Sequence, residues 1–289
     1  IDEPHLKADV LIELAEIKIE QKDFSTAKQI LLEIYADDQL NKGKYFYKTN
    51  AGRICRELLA EIAQREYEPD DIILAYLEEA KDFAFNQKIR KEIDYKILHF
   101  QVMSNKLDQA KADLKNLLLN DDSGTDTYKL GLFYSFFISG IENDPAADSL
   151  LGELLVFTPS GDLTNDALEL KIIGDALTPA ARRTLFHAYQ QKNLYRFAAA
   201  IDSLMTIHDL TGNEDVLILA GTWAWQAEDN LTASSIFQLK FENTVLAEYA
   251  LLAETRLIDD PELRNQRVQN FLKEKPESVF SPEFRQLLE

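Results

Sequence analysis

At 289 residues, with 46% apolar and 28% charged side chains, the chain can bury a large core and is too apolar to be disordered. Its 50 acidic residues against 31 Lys and Arg leave a formal net charge of -19, which excludes a general nucleic-acid binder and favours a basic partner, because a phosphate backbone demands a basic footprint. The single cysteine, Cys55, rules out an internal disulfide framework.

In chain order, recurrence of apolar residues three and four apart predicts helices over 6–21, 24–36, 44–66, 70–85, 88–104, 107–119, 126–141 and 145–157. The same pattern continues over 165–177, 179–191, 194–208, 214–227, 230–241, 244–258, 261–274 and 282–288. Asp144-Pro145, Thr178-Pro179, Asp260-Pro261 and Ser281-Pro282 each set a capping side chain before a proline suited to the first helical position. No sustained alternation marks a strand. The most apolar run, LGLFYSFFISGI at 130–141, is shorter than the roughly 18 residues of a membrane span and reads as a buried helix. The chain opens at Ile1 without a Met or a signal-peptide pattern, which reads as a processed or trimmed piece of a longer protein.

The helices pair by internal repetition. QKDFSTAKQILLEIY from Gln21 and NKLDQAKADLKNLLL from Asn105 align so that Phe24, Ala27, Leu31 and Ile34 fall on Leu107, Ala110, Leu114 and Leu117. Upstream, Leu11, Leu14 and Ala15 fall on Asp94, Ile97 and Leu98, so each copy is a helical hairpin. A small residue recurs at Ala27, Ala110, Ala147, Ala198 and Ala233, with gaps of 83, 37, 51 and 35 residues. Sixteen helices at about 36 residues per pair match the period of tetratricopeptide arrays. Leu217, Ala220, Gly221, Ala224, Ala233 and Phe237 resemble the tetratricopeptide repeat family best, with Tyr189, Tyr195 and Ala198 in the preceding unit and Leu11, Ala15, Phe24 and Ala27 near the start. The resemblance covers about two thirds of the chain and is weakest over 37–90. It implies an all-α fold, a right-handed α-solenoid of antiparallel helical hairpins. Residues 1–157 form N-terminal hairpins, and 158–289 form C-terminal hairpins with an inserted helix near 165–177 and a terminal capping helix. The loop TPSGD at 158–162 is the candidate hinge of one continuous array.

Local signatures of catalysis are missing: no Gly-rich phosphate loop, HExxH, paired CxxC or GxSxG. His5, His99, His187 and His208 are scattered without metal-ligand spacing, and NDDSGTD at 120–126 lacks the glycine and glutamate placement of a calcium loop. No cofactor or metal is expected. The charge outlier is NKGKYFYKTNAGRICR, where Lys42, Lys44, Lys48, Arg53 and Arg56 occur with no acid and with Tyr45, Phe46 and Tyr47 between them. The expectation there is internal pairing with the chain's own carboxylates, and recruitment of an acidic partner is the alternative.

The expected function is a non-catalytic protein-protein interaction scaffold that binds a peptide or protein partner. In the family register, Tyr95, His99, Phe133, Phe136, Arg183, His187 and Trp225 face the concave groove, and Lys44 and Lys48 are further candidate contacts. One alternative is a glycan- or nutrient-binding protein of the bacterial cell surface, which needs Trp223, Trp225 or Tyr128 as a flat stacking platform. Another is an enzyme on a closed helical barrel, for which Asp121, Asp122 and Asp126 are the available carboxylates.

Overall fold

The structure, a computed structural model, describes residues 4–37, 40, 51–122 and 124–288. Among the described residues it is all-helical, with sixteen helices and no strand. Two compact units divide the chain, one of Ile1–Ser139 with Pro145–Asn165 and the other of Gly140–Asp144 with Asp166–Glu289.

The first unit contains α1 (Pro4–Glu20), α2 (Phe24–Ala36), α3 (Ala51–Arg65), α4 (Asp70–Asp82), α5 (Gln87–Met103) and α6 (Leu107–Leu119), then most of α7 (Asp126–Glu142), α8 (Ala146–Phe157) and the start of α9 (Asp162–Asp175). Each of α1 to α5 packs on its successor, and α1 also touches α3. The aligned residues of the two repeats share a burial pattern: Ala27, Leu31 and Ile34 are buried on α2, as are Ala110 and Leu114 on α6. Apolar side chains at this spacing form one inward stripe, and the alanine lets a neighbouring helix approach. Cys55 sits in the first core and donates its Sγ–H to the Leu31 carbonyl at 3.1 Å. Burial pushes the thiol up to about 12, so it packs as a small apolar group. In α7, Leu132, Phe133, Tyr134, Phe136, Phe137, Ile138 and Ile141 are all buried, because a helix apolar on every side must be enclosed. No described helix is long and apolar enough to cross a membrane.

The second unit holds the rest of α9, then α10 (Pro179–Asn193), α11 (Phe197–Thr211), α12 (Asp215–Gln226), α13 (Asn230–Phe237), α14 (Thr244–Arg256), α15 (Pro261–Glu274) and α16 (Ser281–Gln286). From α10 onward each helix packs on the next, and α12 also reaches α14. Gly221 permits the α12–α13 contact, since a Cβ there would lie 2.5 Å from Cε1 of Phe237.

One turn recurs in both units. Lys22, Tyr67, Asn105, Tyr195 and Glu228 all adopt left-handed φ near 60° between two helices. The residue after each donates its N–H to the carbonyl five residues back: Asp23 to Lys18, Glu68 to Ala63, Lys106 to Gln101, Arg196 to Gln191 and Asp229 to Ala224, at 2.8–2.9 Å. This is the Schellman arrangement, which satisfies carbonyls that a helix end leaves open. The chain uses Lys, Tyr and Glu where glycine is the usual occupant, so glycine counting does not find these turns.

Boundaries differ from expectation where tertiary contacts intervene. The helix expected over 230–241 stops at Phe237, because Glu214 accepts from the backbone N–H groups of Glu242 and Asn243 and holds 238–243 as a turn. The helix expected from 194 starts at Phe197, since Tyr195 is left-handed, and it runs to Thr211, where left-handed Gly212 ends it. Thr178 and Asp260 cap α10 and α15 as expected. Pro145 itself stands before α8 with no side-chain cap, and Ser281 lies inside α16 and donates its Oγ–H to the Lys275 carbonyl at 3.0 Å.

Candidate functional site

The short α13 leaves room beside α14 and α15, and the space is a cleft of about 690 Å³ within the second unit. Asn243 starts α14 by accepting from the N–H groups of Val245 and Leu246, and Asp260 starts α15 by accepting from those of Glu262 and Leu263. Buried Phe237 and Phe271, with partly buried Leu251, form an apolar floor. Leu239 and Leu263 stand on the rim, 42% and 49% exposed, where apolar surface is left to solvent.

Charge is held in place along the walls. Glu254 is nearly buried, pairs with Arg267 and accepts from Gln238 Nε2 at 2.9 Å. Glu248 accepts from Lys275 Nζ at 2.8 Å and from Ser278 Oγ at 2.6 Å, and these two hydrogen bonds hold its carboxyl below the ordinary value. A carboxylate fixed in its charged form by a lysine and a hydroxyl is a poor proton carrier at neutral pH. The cleft therefore offers binding chemistry: apolar surface for side chains, and charges of both signs for a polar backbone or a charged end.

The sequence-derived candidates lie elsewhere. Tyr95, Phe133 and Phe136 are buried, 3%, 2% and 1% exposed, which corrects their expected place on an open groove. The reason is that α5 and α7 each carry apolar residues on more than one side, so the residues assigned to the groove are needed inside. Tyr95 OH donates to Asp121 Oδ2 at 3.0 Å, and Phe133 packs edge-on to Tyr134 with ring centroids 5.6 Å apart. His99 is partly buried, with Nδ1 3.0 Å from Tyr134 OH, and burial pushes its imidazole down to about 4. Arg183 is exposed on α10 and its Nε donates to the Ile141 carbonyl at 3.2 Å, while His187 Nδ1 lies 2.6 Å from Gln190 Oε1. Trp225 is 40% exposed, whereas Trp223 is buried, edge-on to Tyr189 and under the Lys192 ammonium. Lys44 and Lys48 lie outside the described residues.

The carboxylates named for a catalytic alternative do not converge. Asp121 is engaged by Lys91, by Tyr95 at 3.0 Å, by Thr127 at 3.0 Å and by Thr125 at 3.1 Å, while Asp122 and Asp126 face solvent. Burial alone would raise the Asp121 carboxyl, but these hydrogen bonds together hold it below its ordinary value.

None of the seven described candidates lines the cleft. Its signal in the sequence is modest: QLKFEN at 238–243 sets two large apolar residues in a polar stretch at the end of a helix, and periodicity assigns most of it to the helix. No protein-family model matches the chain, and no curated protein matches it.

Proposed function

We propose that the chain is a non-catalytic interaction scaffold of tetratricopeptide-like hairpins stacked as an α-solenoid, which holds a peptide or a segment of a partner protein. The observation that carries this reading is the open cleft between α13, α14 and α15, with an apolar floor, exposed leucines on its rim and ion-paired walls. A peptide in such a cleft buries apolar side chains against Phe237 and Phe271 and presents its polar groups to the paired charges. Glycan binding has weaker support, because a two-tryptophan platform is not available with Trp223 buried.

Selection of a displayed random-peptide library against the wild-type chain tests this. Enriched peptides are expected to lose about tenfold or more in affinity for Leu239→Asp with Leu263→Asp, since a charge on each rim position removes apolar contact. Binders indifferent to both substitutions, or no binders at all, would count against the cleft.

A further inference from the structure

The internal repeat relates α1 to α5 by a shift of 83 residues, and the two helices differ in one respect. In α5, Ile93, Ile97 and Phe100 are 0%, 4% and 2% exposed, and Ile89 is partly buried. Their counterparts on α1 are Val10, Leu14, Ile17 and Leu6, at 50%, 40%, 48% and 47%. The opposite face of α1 is in order: Ala8, Ile12 and Ala15 are buried in the first core. The helix is thus apolar on two faces and covered on one.

What covers the matching face of α5 is visible in the same unit. α4 packs on α5, with Lys81 Nζ 2.8 Å from Asp94 Oδ1, and Lys96 of α5 pairs with Glu57 of α3. On α4 the buried residues are Ile73, Leu77 and Ala80, four and three apart. In the repeat, an amphipathic helix thus packs against α5, whose stripe is buried.

On α1 the flank beside the stripe is uniformly acidic, where α5 has Glu92, Lys96, His99 and Met103. Glu13 stands where α5 has Lys96, and Asp9, Glu13, Glu16 and Glu20 form a ridge four, three and four apart alongside the apolar residues. All four are exposed, and no ion pair engages them among the described residues. The opposite flank is satisfied within the chain, by Lys7 on Glu33 at 2.6 Å and Lys18 on Gln21 Oε1 at 3.0 Å. A second copy of α1 is a poor occupant. Pairing two copies antiparallel sets acid ridge against acid ridge, and parallel pairing offers only lysines already engaged.

We propose that the outer face of α1 is a docking surface for a basic amphipathic helix of another protein. That helix carries aliphatic residues three and four apart, to cover Leu6, Val10, Leu14 and Ile17, and Lys or Arg along the flank that meets Asp9, Glu13, Glu16 and Glu20. The surface is separate from the cleft at α13–α15, and either reading stands without the other.

The probe is a fluorescent alanine-based helical peptide with leucines at i, i+4, i+7 and i+11 and lysines along one flank, read by anisotropy. A matched peptide with glutamate in place of lysine serves as its partner. The lysine peptide is expected to bind wild type, to weaken with added salt, and to lose about tenfold or more in affinity for Val10→Ser with Leu14→Ser and, separately, for Glu13→Lys with Glu16→Lys. Asp202→Lys with Asp209→Lys, exposed acids on α11, is expected to leave affinity unchanged and so separates site binding from general attraction to an acidic protein. Circular dichroism melts matching wild type show that the variants fold. Equal binding of the glutamate peptide, equal loss in the α11 variant, or no effect of either α1 variant would overturn the proposal. So would concentration-dependent self-association in sedimentation velocity that Leu14→Ser abolishes, which would give the face to a second copy.

Discussion

The ring of Phe284 lies flat on that of Phe271, with centroids 3.9 Å apart and planes 19° from parallel. With Leu252 and Val268 they form the last core of the chain, and Phe284 is fully buried although it sits on a six-residue helix. So short a helix has little stability of its own, and α16 is held by docking. Phe284→Ala is expected to cost about 3–5 kcal/mol, read from the midpoint of urea unfolding. Truncation after Glu277 exposes Phe271 and is expected to promote self-association in sedimentation velocity; a truncated chain that stayed monomeric with unchanged melting would show that α16 is no cap.

Ala110 is fully buried on α6, where its small side chain permits close packing. Ala110→Leu should destabilise by about 1–3 kcal/mol through overpacking. Ala112→Leu, at an exposed position of the same helix, should stay within about 0.5 kcal/mol of wild type, so the difference between the two isolates the contact.

Arg56 is buried between two rings, its guanidinium carbon 4.6 Å from the centre of Tyr35 and 4.1 Å from that of Phe83. It also donates to Glu79 Oε2 at 3.1 Å and to the Gly52 carbonyl at 3.0 Å. A flat cation with several donors meets these demands together, and a compact ammonium does not. Arg56→Lys is therefore expected to lower stability by about 1–2 kcal/mol despite keeping the charge. An unchanged denaturation midpoint would show that charge alone suffices.

Stability should fall with acid in two stages. His99 has its pKa lowered by burial from 6.5 to about 4, so the folded state prefers the neutral ring. That preference is complete above the unfolded value and is lost as pH falls from 6.5 through 4. Asp121 has a depressed folded pKa, so its contribution is present above the ordinary carboxylate value and disappears as pH falls below about 4. Urea midpoints measured from pH 7 to 3 should show His99→Gln flattening the upper part of the decline and Asp121→Asn the lower part. The His99 ring protons should titrate in NMR with a midpoint near 4. A midpoint at the ordinary histidine value would place the ring in water.

The helices were legible because each has a local cause. Apolar residues three and four apart define a buried stripe whatever lies opposite, and Thr178 and Asp260 announce the starts of α10 and α15 by capping chemistry that acts within one turn. The pairing of Ala27 with Ala110 was readable for the same reason, since identical packing demands leave identical residues.

By itself, the sequence determined the helical character of the chain, the places of nearly all its described helices and the buried alanines Ala27, Ala110 and Ala233, whereas Ala198, read as the matching contact, is exposed and Ala200 is buried in its place. Which apolar faces stay open was decided by the tertiary structure. Tyr95, Phe133 and Phe136 carry the same signal whether they face a groove or a core, and only the neighbours of α5 and α7 enclose them. Leu14 and Ile97 occupy the same place in the repeat, yet one meets solvent and the other is buried beside α4. Likewise the end of α13 at Phe237 depends on Glu214, twenty-eight residues from Glu242 in the chain. Periodicity reports that a residue is apolar; burial is a property of what stands opposite, and long-range contacts supply that.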